Sequence, residues 1–554
     1  MPSSILLPVA IVGGGPSGAF MALWLARFGV ASVVLERECA PVQAPRAHAL
    51  NPRSLEICQA LGLDVARIYA KGLSREEAGQ IHYVDTLTGT LFGSLPYERQ
   101  DDDAYDLTPT PLVNIAQPVF EEILFEAVAA EPLIDFRRAH AWVGMQAEKA
   151  GACSRIVGPE GAYELHSRFV IAADGANSGA RAAAGIAMVG DPEVLTALSI
   201  VFKADLRELV TDRKGILYWL SGAGVKGGFL AYDPARLWSY VTTHSAGRID
   251  LAAYTPARCQ EMVRAAIGRR GAKTPLEIFA VTPWTMRSEV AEHYRAGPLF
   301  LVGDAAHRFP PTGGLGLNTG LQDAHNLAWK LAAVIRGEAG EDLLDTYEGE
   351  RRPVAWCNAE QSLGNAQRLS ALAALDCPQD VSVSSEAMQA WLDEADRRAR
   401  IDAAIELQRQ HFNSIGLQLG FSYDPLAPEV VVDRFEPRAD PGCRLPHGWF
   451  TEGGIRRSTL SLLDARTFTL IAVGDDAAWR AALEGGRPSP RLVMCDAAWR
   501  FETDWLKLVG LSEGGGVLVR PDGHILAHIA TPSAEALAQA FSSLPGFETL
   551  TELA

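Results

Sequence analysis

The run Gly13-Gly14-Gly15-Pro16-Ser17-Gly18 constrains this chain more than any other feature. It lies between the apolar stretch Val9 to Val12 and an apolar helical pattern over Ser17 to Gly29, and Ala31 to Glu36 then reads as a second strand. Strand, helix and strand in that order predict a βαβ unit and a parallel, doubly wound sheet. Gly13, Gly15 and Gly18 match GxGxxG: glycines let backbone approach a pyrophosphate at the helix N-terminus. Glu36, closing the second strand, is placed to accept from ribose hydroxyls. A dinucleotide is expected here, although the glycines alone do not separate NAD from FAD. The apolar start from Ile5 has no basic flank and runs straight into the glycines, which favours a buried first strand over a signal-peptide core.

Two later segments make the choice. Val170 to Arg181 ends a strand in Asp174-Gly175 and turns through Ser178. Leu299 to His307 ends another in Gly303-Asp304, followed by Pro310-Pro311-Thr312-Gly313-Gly314-Leu315-Gly316-Leu317-Asn318. Asp304 at a strand end suits a ribityl hydroxyl. The loop from Leu315 to Asn318 opens a helix, so its free N–H groups suit the flavin N1–C2=O edge. With these three ordered motifs, residues 5 to 355 resemble the class A flavoprotein monooxygenases, the family of p-hydroxybenzoate hydroxylase and phenol hydroxylase. Arg46 to Glu56, Phe412 to Tyr423 and Pro441 to Trp449 resemble the phenol hydroxylase branch, which includes the 2-hydroxybiphenyl and dichlorophenol hydroxylases.

The resemblance implies non-covalent FAD held by Gly13, Gly15, Ser17, Gly18, Glu36, Arg37, Arg46, Gln117, Asp174, Asp304, Leu315, Gly316, Leu317 and Asn318. It implies NADH or NADPH as a transient co-substrate, with O₂. The implied reaction is hydroxylation of a small phenolic substrate through a flavin C4a-hydroperoxide, ortho to an existing hydroxyl. Electrophilic oxygen needs an electron-rich ring, and a phenol pKa near about 10 calls for a base or hydrogen-bond acceptor at neutral pH. His48, two residues beyond Arg46 in the substrate-contacting stretch of the branch, is the candidate base. Pro311 is expected to fix backbone against the substrate and flavin rings. His307 reads as scaffolding. Baeyer–Villiger or epoxidising chemistry on a polycyclic aromatic shares the same motifs. A flavin-loaded aromatic-binding protein without catalysis is a third reading, against which the intact loop Pro310 to Asn318 argues.

The expected architecture is α/β. A discontinuous Rossmann-type FAD-binding domain covers 1–190 and 280–365, and an inserted antiparallel-sheet substrate domain covers 191–279. A helical connector follows over 366–424, including a long charged helix from Ser385 to Phe412, and a thioredoxin-like domain covers 425–554. Strand alternation is expected to put Tyr218 and Tyr240 on the face opposite Trp219 and Trp238. Val519 to Gly523 resembles the last hairpin of the branch's C-terminal domain.

Lys+Arg 50 against Asp+Glu 67 gives a net charge of −17, which disfavours nucleic-acid and polybasic membrane contacts. The 8 cysteines include no CxxC pair, so reduced thiols in the cytoplasm are expected, without a metal site. Cys443 and Cys495 stand alone, which makes the C-terminal domain structural or part of a homodimer contact.

Overall fold

A computed structural model describes residues 7–98, 103–222, 224–244, 249–373, 378 and 385–547. Strand β1 (Leu7–Val12), helix α1 (Pro16–Arg27) and strand β2 (Ser32–Glu36) form the βαβ unit. β1 lies parallel to both β2 and the strand Gly161–Ala172, at the centre of an eight-stranded sheet. The strand Leu299–Leu301 continues the sheet in parallel beyond Gly161–Ala172, which brings the ends of the three sequence motifs to one edge. Gly13 turns at φ +101°, and a Cβ on Gly18 would lie 2.0 Å from the Gly13 carbonyl oxygen. Only glycine allows α1 to pack so close to the strand it leaves. The buried face of α1 packs against the helix Leu315–Ile335, so the first and last motifs share one core.

The second sheet also has eight strands, in the order His307–Arg308, Glu277–Ala291, Met188–Lys203, Leu237–His244, Val225–Asp233, Leu217–Gly222, Gln80–Val84 and Leu91–Pro96. It extends beyond the expected 191–279. The two outer strands come from residues 80–96, and Leu217 to Leu220 pairs in parallel with Ile81 to Val84. That pairing satisfies the backbone groups of what would otherwise be an open edge. The long strands Met188–Lys203 and Glu277–Ala291 also run across both expected limits.

Tyr218, Trp238 and Tyr240 share one buried face with Phe229, in a cluster that includes residues of the helix Pro256–Ile267. Trp219 alone faces the other way, into a cluster with Tyr83 and Phe412. The expected grouping of Trp238 with Trp219 is therefore corrected. Residues two apart on a strand share a face, so Trp238 must accompany Tyr240.

The connector differs as well. The helix Thr346–Ala373 runs through the expected boundary at 366, and the single helix over Ser385 to Phe412 is instead Ser385–Leu392, Ala395–Glu406 and Arg409–Phe412. In one straight helix Ile401 would fall opposite Leu392. The break at Glu394 lets both bury in the Trp219 cluster.

The C-terminal unit holds a four-stranded sheet, Arg491–Met494, Thr469–Ala472, Gly516–Val519 and Ile525–Ile529, flanked by helices Asp476–Leu483 and Ala534–Ser542. One parallel pair followed by two antiparallel pairs is the thioredoxin-like order. Phe468, Leu470, Trp479 and Phe541 join the same core as α1 and the helix Leu315–Ile335, so the unit is docked and not tethered. Among the described residues no helix is long and apolar enough to cross a membrane.

Candidate active site

The dinucleotide end of the cleft is built by backbone. Glu36 Oε2 accepts from the Gly14 N–H at 2.8 Å and Oε1 from the Glu38 N–H at 2.8 Å, which fixes the carboxylate at the tip of β2. α1 begins at Gly15 without a side-chain cap, so its first N–H groups point outward unpaired, and a Cβ on Gly15 would meet open space. Ser17 packs between Gly303 and Gly320, where any added Cβ would come within 2.6 Å of its Oγ.

Arg37 is exposed and pairs with Glu38 at 3.2 Å. Arg46 is exposed, and its charge acts on Asp304 and Glu121. Gln117 donates to Glu121 Oε1 at 2.6 Å, and its backbone N–H is held by the Ala47 carbonyl at 2.9 Å. Asp174 is turned inward: its carboxylate accepts from the Ser178 hydroxyl and from the Ala180 N–H at 3.0 Å. With the N-cap Ser178, whose hydroxyl accepts from the Arg181 N–H, it holds the start of the short helix Gly179–Ala183.

At the other end, Gly303 turns at φ +64° and aims Asp304 into the cleft. Solvent reaches the Asp304 carboxylate from the open side while protein crowds it behind, and this crowding raises its pKa against the pull of His307 and Arg46. It has no hydrogen-bond partner among the described residues. The helix Leu315–Ile335 starts from Gly314 at φ +65° with no side-chain cap, leaving the N–H groups of Leu315, Gly316 and Leu317 to face the cleft. A Cβ on Gly316 would meet nothing within 4 Å. An unpaired carboxylate, two uncapped helix starts and two open glycine cradles are the donor set a flavin dinucleotide needs, and they fit FAD.

Asn318 differs from expectation. It is 1% exposed, accepts from the Asn51 N–H at 2.9 Å, and donates to the carbonyls of Ala49 at 2.9 Å and Gly314 at 2.7 Å. Its side chain ties the flavin loop to the His48 segment.

His48 sits between the flavin loop and the second sheet. Ala49–Leu50 pairs with Val113–Asn114, and the His48 carbonyl accepts from the Ile115 N–H at 2.7 Å. His48 Nδ1 lies 2.9 Å from Asn114 Oδ1, so Nδ1 carries the proton and Nε2 is left as the acceptor. Burial lowers the His48 pKa, and the Asn114 bond offsets only part of that.

Tyr232 stands edge-on to the imidazole at 6.4 Å. Its hydroxyl has no partner among the described residues, and burial pushes its pKa up, so it is a neutral donor. Sequence reasoning missed both Asn114 and Tyr232. For Tyr232 a signal existed: it alternates with the core residues Phe229 and Ala231 and so faces the cleft side of its strand.

Pro311 is exposed to the cleft, with its carbonyl accepting from the Gly314 N–H at 3.1 Å. Thr312 anchors that loop to the Ser362 carbonyl at 2.6 Å. His307 is buried, 2.7 Å from Asp323 and stacked on Phe309 at 4.7 Å, which is scaffolding.

The seven described cysteines are free. Burial pushes the thiol of Cys443 up and that of Cys495 to about 11, so neither is a thiolate at neutral pH. Away from the cleft, on the strands Ala141–Glu148, Gly151–Gly158 and Gly161–Ala172 of the first sheet, Glu148, Cys153 and His166 bring possible ligand atoms within 4.8 Å of one another, with His166 hydrogen-bonded to Glu148.

Residues 7–362 match the family model described as FAD binding domain, and residues 438–546 match aromatic-ring hydroxylase, C-terminal. The chain is 32% identical to tetracenomycin A2 monooxygenase-dioxygenase of Streptomyces glaucescens, covering 94% of this chain and 92% of that one. It is 34% identical to 4-methyl-5-nitrocatechol 5-monooxygenase of a Burkholderia species, covering 95% and 94%. Among solved structures, the flavin-dependent monooxygenase PieE, in complex with FAD and substrate, superposes with a TM-score of 0.88 at 29% identity, over 98% of this chain and 99% of that one.

Proposed function

The chain belongs to the family of FAD-dependent aromatic-ring hydroxylases, and from that premise we propose that His48 Nε2 takes the proton of a phenolic substrate while the Tyr232 hydroxyl holds the same oxygen. When bound and reduced by a nicotinamide nucleotide, FAD would supply the electrophilic oxygen, drawn from O₂. Glu36, Asp304 and the uncapped N–H groups at Gly15 and Leu315 to Leu317 hold the cofactor in this reading, and Arg37, Arg46 and Gln117 contribute at the adenosine side.

The observation that carries the proposal is the state of His48. Asn114 occupies Nδ1, Nε2 is free, and burial keeps the ring neutral at physiological pH. A neutral imidazole in that tautomer accepts a proton and stabilises the phenolate, which activates the ring at the ortho carbon. Tyr232, held neutral, donates to the same oxygen and orients it. Pro311 limits the approach of the substrate from the flavin side. A nitrocatechol in the name of one relative is consistent with a small phenol here, and the scattered free thiols support a cytoplasmic enzyme.

The test compares a phenol that stimulates NAD(P)H oxidation with its O-methyl ether. The ether has no proton to give, so it is expected to support cofactor reduction and peroxide release without hydroxylated product. Hydroxylation of the ether at the rate of the phenol would overturn proton removal by His48.

A further inference from the structure

The turn between strands Gly516–Val519 and Ile525–Ile529 sits in a dense cluster of buried charges, and no chemistry described above uses it. Its tip, Arg520 to His524, enters a wedge between helix α2 (Pro52–Leu61), the helix Leu315–Ile335 and the helix Thr346–Ala373. We infer that this hairpin is a positioning element for the cleft: it sets the His48 segment and the flavin loop by gripping the helices that follow each of them. The inference rests on the reading of the cleft given above.

The grip is directional at every point. The Asp522 carbonyl accepts from Arg53 Nη2 at 2.6 Å, and its carboxylate accepts from Trp329 Nε1 at 3.1 Å. Arg520 meets both oxygens of Glu350 at 2.7 and 2.8 Å, and Lys330 adds a third donor at 2.7 Å. None of these ionic side chains is more than 10% exposed.

The path from the seat to the cleft is short. Arg53 lies in the first turn of α2, whose N-cap is Asn51. The Asn51 N–H is the donor that Asn318 Oδ1 accepts, and Asn318 also holds the carbonyls of Ala49 and Gly314. One turn of α2 therefore separates the hairpin from the tie that joins the two active segments. A second path runs through His524, whose ring lies tilted at 33° against Tyr423 with centroids 4.2 Å apart. Arg351 follows and binds Asp323 at 2.9 Å, and Asp323 receives the Gly303 N–H that precedes Asp304.

The chemistry of the seat fits this role. An apolar contact of equal area would hold the unit as tightly but would tolerate sliding, since the hydrophobic effect is non-directional. Buried ion pairs add little net stability over apolar packing, but each hydrogen bond fixes a distance and an angle.

The experiment uses the full-length, FAD-bound protein and three variants. Arg53→Lys and Arg520→Lys keep the charge but lose the two-pronged grip, while Val509→Ala, in the C-terminal unit's own core, is the control. Hydrogen exchange is read by mass spectrometry over residues 46–51 and 315–320, and the FAD dissociation constant by flavin fluorescence.

The two lysine variants are expected to speed exchange in both segments by about threefold or more and to weaken FAD by about three- to tenfold. The control is expected to lower Tm with both readouts unchanged. Wild-type exchange and FAD binding in folded lysine variants overturn the inference.

Should neither lysine variant fold, wild-type protein in sub-denaturing guanidinium decides: residues 516–529 and the two cleft segments are expected to open together, and independent opening overturns the inference. Because exchange and FAD affinity do not depend on proton removal, a failure of the His48 proposal would leave this result readable.

Discussion

The cleft and the hairpin seat are both polar, but they treat their polar groups in opposite ways. In the seat, Glu56 takes Arg444 through both oxygens and also the Thr108 hydroxyl at 2.6 Å; Glu350 and Asp522 are each met by several donors. Those bonds outweigh the cost of burial and hold the Glu56 and Glu350 carboxyls below the ordinary carboxylate range. In the cleft, among the described residues, Asp304 has no hydrogen-bond partner, His48 keeps one ring nitrogen free, Tyr232 keeps its hydroxyl free and two helices begin without a side-chain cap. A fold that pairs seven buried ionic side chains within one wedge can pair an aspartate. Where partners are withheld, a cofactor or substrate is to supply them.

That contrast predicts opposite responses to substitution. The largest effect belongs to the seat. Glu350→Ala leaves Lys330 buried without its carboxylate and Arg520 with Asp522 alone, and is expected to cost about 3–5 kcal/mol of stability. Thermal or guanidinium unfolding measures it, and a loss under about 1 kcal/mol would mean that water repairs the seat.

Asp304→Ala is expected to leave Tm within a few degrees while weakening FAD by about 1.5–3 kcal/mol, roughly 10- to 150-fold, because the missing partner is the ligand. Isothermal titration of apoprotein decides it, and a fall in stability with unchanged FAD affinity would place Asp304 with the seat.

Tyr232→Phe removes one neutral hydrogen bond to the substrate. It is expected to raise KM for the phenol by about 3- to 10-fold with FAD affinity intact. Steady-state kinetics at saturating NAD(P)H would show otherwise as an unchanged KM.

The smallest effect is none at all. Cys443→Ser and Cys495→Ser are expected to leave turnover unchanged, and a large loss in either would assign the thiol a role that its raised pKa does not suit.

The sign of the pH dependence follows from His48. Burial lowers its pKa, so the neutral, accepting form persists as pH falls. Hydroxylation is expected to fall off only below about pH 6.5, the ordinary value for histidine. A pH profile of product formation with its acid limb above that value would contradict the assignment.

Much of the cleft was legible in the sequence because its parts are local. Gly13 to Gly18, Glu36 and the strand end at Asp304 announce themselves by the order strand, glycine, helix or acid. His48 lies next to Arg46 in a stretch that a family resemblance covers. What the sequence did not reveal depends on long-range pairing. Asn114 reaches His48 only because two short strands meet, and the strands over residues 80–96 complete a sheet whose other members begin a hundred residues later. Asp174 and Asn318 stand in the right motifs, but motif position does not tell which way a side chain turns: Asp174 bonds its own loop and Asn318 turns into the protein. The hairpin from Val519 to Gly523 was visible as a pattern, while the helical charges around it, Arg53, Glu56, Lys330 and Glu350, come from three distant places along the chain.

The central claim is that free polar groups in the cleft act on substrate, with His48 first among them. His48→Ala tests it most directly, by counting hydroxylated product against hydrogen peroxide for each NAD(P)H consumed. The account predicts FAD content and flavin reduction within a few-fold of wild type, hydroxylation down by about 10²–10⁴-fold, and peroxide taking up the difference. A variant that binds FAD, is reduced and hydroxylates at the wild-type rate would contradict it.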